Sequence, residues 1–372
     1  MNIAIFCREG YGPPWNEGYK IMTRNLVRFL KNKGDNPIII SNADIEKYRK
    51  LPAIIYKLPL IRMLETFFIM RRITEQKQIH LFFRFTGARL RFAIPFYLYE
   101  KFLGVPFCAY ITSASNGRFS RNLINFIMNS NRLFVGGDFL KEQFPKAHLI
   151  YPLVDLNSGS HNSNQSTKTD KTKVILFLGA FHKQRGVQYL IKAIAQIKDK
   201  FDVKLLLAWN GVGEYESEVL ALIREYNLEK ITEIRGNSNI SKLYNEAYLV
   251  VIPRIYKKGL PQNMFFPLRI IEALAFQKPM IVSDIYGWGS IIKGCGLAVK
   301  PGNVEELRDA IIKMISDKDF HDSCVKECLS KLKKYHPDRS FSKIYEVFQT
   351  ANKGDRRKAK SIKNTTSFIR AT

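Results

Sequence analysis

A proline, a carboxylate and a buried strand follow one another closely between residues 261 and 282. Pro267 suits the first turn of a helix, where its missing N–H costs no hydrogen bond. Glu272 lies about one and a half turns further along. The unpaired N–H groups of a helix start bind anions, and a carboxylate in this position can accept hydrogen bonds from sugar hydroxyls. The segment therefore predicts a site for a phosphate-bearing ligand.

A parallel sheet must position this segment, because the apolar strand Pro279–Ser283 follows the helix directly. The chain starts with the same order of elements: an apolar strand at Ile3–Phe6, a glycine-rich loop, and an amphipathic helix that ends at Gly34. A second unit of this kind begins with strand Lys173–Gly179. Further strands are predicted at Pro37–Ser41, Ile79–Phe85, Pro106–Thr112, Arg132–Val135, His148–Tyr151, Val203–Ala208, Ile231–Arg235, Val250–Pro253 and Leu297–Val299.

The length of 372 residues and this alternation of strands and helices predict an α/β protein with two Rossmann-like domains. The first domain is predicted over residues 1–154 and the second over 173–338. Residues 155–172 are polar and read as a linker or surface loop. Residues 339–372 are expected to form a C-terminal helix and a basic tail.

Cysteine usage favours a reduced, cytosolic protein. The five cysteines are widely scattered, and the first residues lack the basic region and apolar core of a secretory signal. Cys324 and Cys328 are one helical turn apart, but no set of further ligands lies near them in sequence, so helix packing or a surface position explains them better than a metal site. No cofactor or metal is expected.

The formal net charge of +26 indicates that the protein binds an acidic partner. Lys47–Arg91 holds eleven basic residues against two acidic ones, interleaved with aromatic and aliphatic side chains. This composition is typical of a segment that lies on an anionic membrane surface, although a solvated basic face over a buried core remains an alternative. The tail Lys353–Thr372 adds seven basic residues and is either a second electrostatic anchor or without a role.

Three segments in the second half of the chain together resemble the retaining glycosyltransferases of family 4 (glycosyltransferase group 1), which have the GT-B fold. They are Phe177–Ile191, Phe266–Ala275 with Lys278-Pro279 after it, and Gly296–Gly302. The resemblance implies two Rossmann-like domains that face each other across a cleft. It also implies that the first domain binds the acceptor, that the second binds a nucleotide-sugar donor, and that the C-terminal helix packs back on the first domain.

The resemblance assigns roles to individual residues. Arg185, just before Gly186, takes the place of the family's basic residue on the nucleotide diphosphate, and Lys183 assists it. Glu272 matches the second glutamate of the Glu-x7-Glu motif, which binds the ribose. Gly18 matches a glycine that lets the backbone approach the diphosphate. The other residues expected to contact the donor are Gly179, Asn263, Met264, Phe265, Phe266, Pro267 and Leu268.

The chain departs from the family pattern at three points. Met264 stands where the first glutamate of the motif is expected. Ala180 replaces a usual arginine, which removes a phosphate ligand unless Lys183 or His182 substitutes. No histidine follows the strand that reads Ala109–Ser115. These departures put the identity of the donor sugar and the catalytic rate in question.

The implied reaction is metal-independent, retaining transfer of a sugar from a nucleotide-diphosphate sugar to a lipid-linked or polysaccharide acceptor. The implied place is the cytoplasm, on the inner face of the cell membrane. Arg185, Lys183 and the helix start stabilise the departing diphosphate electrostatically.

Two alternatives remain. The first is a catalytically weakened sugar-nucleotide-binding protein, suggested by Met264 and Ala180. The second is a nucleic-acid-binding protein, which is suggested by charge alone, because no helix-turn-helix, zinc-finger or RNP-like pattern is present. A specific nucleic-acid partner is therefore not expected.

Overall fold

The chain forms two compact units. The computed structural model describes residues 1–7, 18–41, 47, 59–87, 97–98, 100–113, 122, 132–151, 172–209, 214–236, 239–255, 268–285, 287–335 and 339–352. Within these ranges, the first unit combines the residues up to Tyr151 with a C-terminal helix at 339–352, and the second runs from Thr172 to Tyr335. The predicted connection 155–172 lies outside the described residues except for Thr172, so the predicted domain boundaries stay predictions.

A six-stranded parallel sheet forms the centre of the first unit. Its strands are β1 (Asn2–Cys7), β2 (Asn36–Ser41), β3 (Leu81–Gly87), β4 (Phe107–Ser113), β5 (Leu133–Val135) and β6 (His148–Leu149). They lie in the order β2-β1-β3-β4-β5-β6. The helices of this unit that the structure describes in full are α1 (Gly18–Asn32), α2 (Pro59–Lys77) and α3 (Asp138–Gln143). Successive residues of β1, Ile3, Ala4 and Ile5, are all fully buried, as expected for a parallel sheet covered on both faces.

The C-terminal helix at 339–352 belongs to the core of the first unit. Phe348 is fully buried, and its ring lies 5.3 Å from that of Phe83 on β3. Phe341 stacks on Phe29 of α1 with 4.9 Å between ring centroids. The expectation that the end of the chain packs back on the first domain is confirmed.

A second parallel sheet of six strands forms the centre of the second unit. Its strands are β7 (Lys173–Leu178), β8 (Val203–Trp209), β9 (Thr232–Gly236), β10 (Leu249–Ile252), β11 (Met280–Ser283) and β12 (Gly296–Val299). Its described helices are α4 (Val187–Ala195), α5 (Glu216–Glu225), α6 (Ile240–Glu246), α7 (Leu268–Ala275), α8 (Trp288–Ile292), α9 (Val304–Ser316) and α10 (Lys318–Lys334). The strands lie in the order β12-β11-β10-β7-β8-β9, so the direction of winding reverses between β7 and β10.

Local side-chain and backbone contacts determine where several of these helices and strands begin. The Asn303 side chain accepts a hydrogen bond from the Glu306 N–H at 3.0 Å and donates to the Glu306 carboxylate at 3.0 Å, and this pairing caps the start of α9. Strand β3 starts two residues later than predicted, at Leu81. The reason is the end of α2, where Gln78 has a φ of 49° and the Ile79 N–H still bonds to the Thr74 carbonyl.

Helix α2 was not expected, because the basic Lys47–Arg91 segment was interpreted by composition alone. Residues 97–98 and 100–103 are also helical. Among the residues that the structure describes, no helix is both long and apolar enough to cross a bilayer.

Candidate functional site

The reversal of winding between β7 and β10 is where open parallel sheets bind ligands, outside the carboxyl ends of the strands. The two strands are adjacent and parallel, with Leu249 paired to Ile175 and Val250 to Leu176. The segment after β7 and the segment after β10 therefore meet at one edge of the sheet. These two segments carry Arg185 and Arg254.

The segment after β7 leaves the sheet through Gly179, whose N–H bonds to the Ala208 carbonyl at 3.0 Å. A single 3-10 turn at Lys183–Arg185 follows, and Gly186 then begins α4. Lys183 and Arg185 are both exposed by solvent-accessible surface, although protein atoms crowd the Arg185 guanidinium closely enough to desolvate it in part. The Gln188 side-chain amide donates to the Lys183 carbonyl at 2.9 Å, which ties this turn to the first turn of α4.

Gly186 is required by two features of its surroundings. Its φ of +76° lies in the left-handed region that side-chain-bearing residues avoid. A Cβ atom there would lie 1.7 Å from the Pro253 carbonyl oxygen. Beside this contact, the Ile255 N–H donates to the Gln184 carbonyl at 3.1 Å. Residues 253–255 are thus packed directly against residues 184–186.

Positive charge accumulates at this contact. Desolvation, together with the nearby charges of Arg254 and Arg269, lowers the pKa of Arg185 to about 10. Arg254 is half-buried and stands two residues beyond the end of β10, while Arg269 lies in the first turn of α7. Guanidinium groups that crowd in this way repel one another, and a bound anion would relieve the repulsion.

Glu272 is buried on α7 and is held by two donors. Arg269 Nη1 donates to Glu272 Oε2 at 2.5 Å, and the Tyr244 hydroxyl donates to the same oxygen at 2.9 Å. The Tyr244 ring stacks on Phe276 with 4.9 Å between ring centroids. Both of these hydrogen bonds to the carboxylate end on Oε2.

The pKa shifts around Glu272 agree with a fixed ion pair. Burial is the largest single effect and disfavours the charged form of Arg269, but Glu272 and Tyr244 together outweigh it and raise the pKa of the guanidinium. Burial first, and then the charge of Glu272, raises the pKa of Tyr244 well above its usual value. Tyr244 therefore stays a hydrogen-bond donor, and the carboxylate keeps one orientation.

The structure brings together some of the predicted residues. Gly179, Lys183, Arg185 and Glu272 all belong to the second unit. Helix α7 is described from Leu268 onward, and the predicted start at Pro267 lies outside the described residues. Gly18 begins α1 in the first unit. The predicted donor contacts outside the described residues are Asn263, Met264, Phe265, Phe266 and Pro267.

Sequence reasoning missed Arg254, Arg269 and Tyr244. Arg254 follows a short apolar strand by two residues, and Arg269 precedes Glu272 by three, which is the spacing of side-chain pairs on a helix. Those two signals were available. Nothing in the sequence near Tyr244 indicates that its hydroxyl reaches Glu272, 28 residues away.

Among the described residues, no group of three or more His, Cys, Asp or Glu side chains is arranged to hold a metal ion. Cys324 and Cys328 are buried on α10, as the packing interpretation predicts, and Cys295 is buried near them. The Cys328 thiol hydrogen-bonds with Cys295, which lowers the pKa of Cys295 despite its burial.

Comparisons with known proteins connect this geometry to a family. Residues 160–329 match the sequence family described as glycosyl transferases group 1. An uncharacterized glycosyltransferase of Methanocaldococcus jannaschii is 27% identical over 186 residues, which are 49% of this chain and 46% of that protein. The N,N'-diacetylbacillosaminyl-diphospho-undecaprenol alpha-1,3-N-acetylgalactosaminyltransferase of Campylobacter jejuni is 22% identical over 237 residues, 62% of this chain and 58% of that protein. The chain thus spans about half the length of these curated relatives.

Solved structures match over nearly the whole chain. A glycosyltransferase from Rickettsia africae superposes with a TM-score of 0.75 at 17% identity and covers 94% of this chain and 98% of its own. Anabaena HepE, in complex with UDP and glucose, superposes with a TM-score of 0.67 at 15% identity and covers 94% of this chain and 100% of its own. At such low identity these matches establish the fold, which is the GT-B type with two parallel α/β sheets.

Proposed function

We propose that this chain, in which residues 160–329 match the glycosyl transferases group 1 family, transfers a sugar from a nucleotide-diphosphate sugar to a lipid-linked or glycan acceptor, with retention of configuration and without a metal. The observation that carries the proposal is the meeting of Arg185, Arg254 and the Arg269–Glu272 pair at the reversal of the second sheet. Cations there suit a diphosphate, and an oriented carboxylate suits sugar hydroxyls.

In this mechanism the bond between the anomeric carbon and the diphosphate oxygen breaks, and its electron pair leaves with the diphosphate. The acceptor hydroxyl forms the new bond on the same face of the sugar. A phosphate oxygen of the leaving diphosphate takes the hydroxyl proton. The protein stabilises the developing charge through Arg185, aided by Lys183, and orients the donor through Glu272.

The experiment is a donor screen followed by a transfer assay. A panel of UDP-, GDP- and ADP-sugars is tested for an increase in the melting temperature, since a ligand that binds the folded state raises it. Transfer is then measured with a labelled form of the donor that binds. Stabilisation by at least one donor supports the proposal, whereas a panel without any shift overturns it.

Ala180 favours a second candidate, a sugar-nucleotide-binding protein with weakened catalysis, because it stands where the family usually has an arginine. The variants Arg185→Ala and Glu272→Ala separate the two candidates. An enzyme loses turnover in both variants. A binding protein shows a thermal shift with the donor in the wild type and no transfer to any acceptor tested.

The lipid-linked acceptor is supported by the Campylobacter relative, whose name places its own acceptor on diphospho-undecaprenol. A second support is an aromatic–basic surface on the first unit, formed by α2 and the helical residues near 101. Phe68 and Phe102 are 62% and 65% exposed, far more than globular proteins usually allow such rings. The members of this surface are Phe67, Phe68, Arg71, Arg72, Tyr97, Lys101 and Phe102.

The aromatic–basic surface is internally connected. The ring of Phe67 on α2 lies 5.7 Å from Phe68 and 6.0 Å from Phe102. Lys101 lies 5.9 Å from the centroid of the Tyr97 ring. Exposed aromatic rings next to cations suit the interface of an anionic bilayer, where the rings enter the headgroup region and the cations meet lipid phosphates. The proposed place of action is therefore the cytoplasmic face of the membrane.

Vesicle co-sedimentation tests this membrane surface. The protein should bind vesicles that contain phosphatidylglycerol, and the double variant Phe68→Ser/Phe102→Ser should bind them at least about tenfold less tightly. Leu329→Ser is the matched control, because Leu329 is 39% exposed but lies on the second unit. Unchanged binding by the double variant would remove the membrane part of the proposal and leave the transferase part standing.

A further inference from the structure

We propose that Arg254 is a phosphate ligand of the donor site and replaces the arginine that group 1 transferases usually carry where this chain has Ala180. The inference rests on the proposed function, because it assumes a nucleotide-diphosphate ligand at this edge of the sheet. It adds a residue to which the resemblance assigned no role. It also answers how the site keeps its positive charge despite Ala180.

The backbone places Arg254 at the site independently of any charge argument. Strands β7 and β10 are hydrogen-bonded neighbours, and both loops leave the sheet at its carboxyl edge. The Ile255 N–H bonds to the Gln184 carbonyl at 3.1 Å, and the Pro253 carbonyl occupies the space that a Cβ on Gly186 would need. Arg254 lies between these two contacts, so its Cα is held beside the turn that carries Arg185.

The electrostatics agree with this placement. Arg254 contributes, after desolvation, to lowering the pKa of Arg185, so the two guanidinium groups lie close enough to repel one another. A protein that holds like charges together without a purpose loses stability. A diphosphate carries enough negative charge to bridge two arginines, and each planar guanidinium can hold two phosphate oxygens.

Arg269 has a different role. Its Nη1 atom is bonded to Glu272 Oε2, and its pKa is raised by that carboxylate. Arg269 mainly orients Glu272, the residue that is proposed to bind the ribose. Of the two arginines that sequence reasoning missed, Arg254 is the one whose backbone is held beside the turn that carries Arg185, and on that ground it is assigned to the phosphates.

The test measures binding of a nucleoside diphosphate, the matching monophosphate and the matching nucleoside to the full-length protein by calorimetry. The base is taken from the donor that stabilises the wild type. Arg254→Gln should weaken binding of the diphosphate by about ten- to a hundredfold and leave binding of the nucleoside unchanged. Arg254→Lys should recover part of the loss, because it restores the charge without the planar fork.

Two further variants complete the design. Arg308→Gln is the matched control, because Arg308 belongs to the same unit but pairs with Asp309 on α9, and it should bind the diphosphate as the wild type does. Ala180→Arg added to Arg254→Gln should restore diphosphate binding if the two positions serve the same phosphates. Melting temperatures of all variants are compared, so that a folding defect is seen directly.

The outcomes separate this inference from the proposed function. If Arg254→Gln binds the diphosphate like the wild type, or loses diphosphate and nucleoside equally, Arg254 is not a phosphate ligand. In that case the transferase proposal stands. If the wild type binds no nucleoside diphosphate, the proposed function fails first, and this inference fails with it.

Discussion

Arg269 Nη1 lies 2.5 Å from Glu272 Oε2, one helical turn away on α7, and only 7% of the Glu272 side chain is exposed. A buried ion pair of this kind stabilises a protein only while both partners are present, because either charge left alone is poorly solvated. The Tyr244 hydroxyl from α6 bonds to the same oxygen. Two elements therefore set the orientation of the carboxylate.

Variants of the Arg269–Glu272 pair should show that protein stability and donor binding depend on it in different ways. Glu272→Ala is expected to lower the free energy of unfolding by about 3 kcal/mol, because the Arg269 charge loses its partner. Arg269→Met combined with Glu272→Gln should recover most of this loss in urea denaturation, yet should bind no better than Glu272→Ala in a donor-binding assay. Recovery of donor binding by the double variant would show that the carboxylate does not contact the donor.

Neutralising Arg185 should act in opposite directions on stability and binding. Its pKa in the folded protein is about 10, below its ordinary value. The charge therefore costs stability below pH 10, and this cost fades as the pH rises above 10. Arg185→Gln should melt no lower than the wild type between pH 7 and 9, while diphosphate affinity falls by about ten- to a hundredfold.

The exposed Lys200 supplies the control for this experiment. Lys200→Gln removes the same charge away from the arginine cluster and should leave diphosphate affinity unchanged. A clear drop in the melting temperature of Arg185→Gln would contradict the idea that the cluster is held under repulsion.

Gly186→Ala should destabilise the second unit strongly. The positive φ alone costs an alanine about 1–2 kcal/mol, and the contact with the Pro253 carbonyl adds to that cost. Gly287→Ala is matched, because Gly287 has the same φ of +76° but nothing within 4 Å of the added Cβ. Urea denaturation should rank Gly186→Ala well below Gly287→Ala, and equal losses would mean that the close approach of Pro253 is not rigid.

Removal of divalent metal should leave transfer unaffected. The proposed mechanism neutralises the leaving diphosphate with Arg185 and its neighbours, so a metal ion has no assigned task. Initial rates with excess EDTA should equal those without it, and added Mg²⁺ or Mn²⁺ should not raise them. A rate that collapses with EDTA and returns with a divalent ion would require a metal in the mechanism.

The C-terminal helix should be essential to the first unit. Phe348 is fully buried against Phe83 and Phe134, so Phe348→Ala should cost about 3–5 kcal/mol of unfolding free energy. Phe68→Ala, on the same unit, removes a ring that is 62% exposed and should cost far less. Similar losses for the two variants would mean that the helix at 339–352 is not part of this core.

The sequence by itself determined the fold class and part of the site. Apolar strands that alternate with amphipathic helices predict parallel sheets, because a strand buried on both faces must be apolar at successive positions, as in β1 and β7. The glutamate on α7 was recognisable from its place about one and a half turns after Pro267, whereas Arg185 was marked only by the resemblance to the family. A helix near Pro267 was predictable because proline suits a first helical turn, and α7 is described from Leu268 onward.

Only the tertiary structure decided what surrounds those residues. Arg254 lies 69 positions after Arg185 in the chain and Tyr244 lies 28 before Glu272, and neither distance repeats with a helical or strand period. Their meeting depends on the order β12-β11-β10-β7-β8-β9, which places β10 beside β7. Local patterns predict which segments form strands, but strand order follows from packing between distant segments. The sequence thus indicates single site residues, and the sheet order assembles the charge around them.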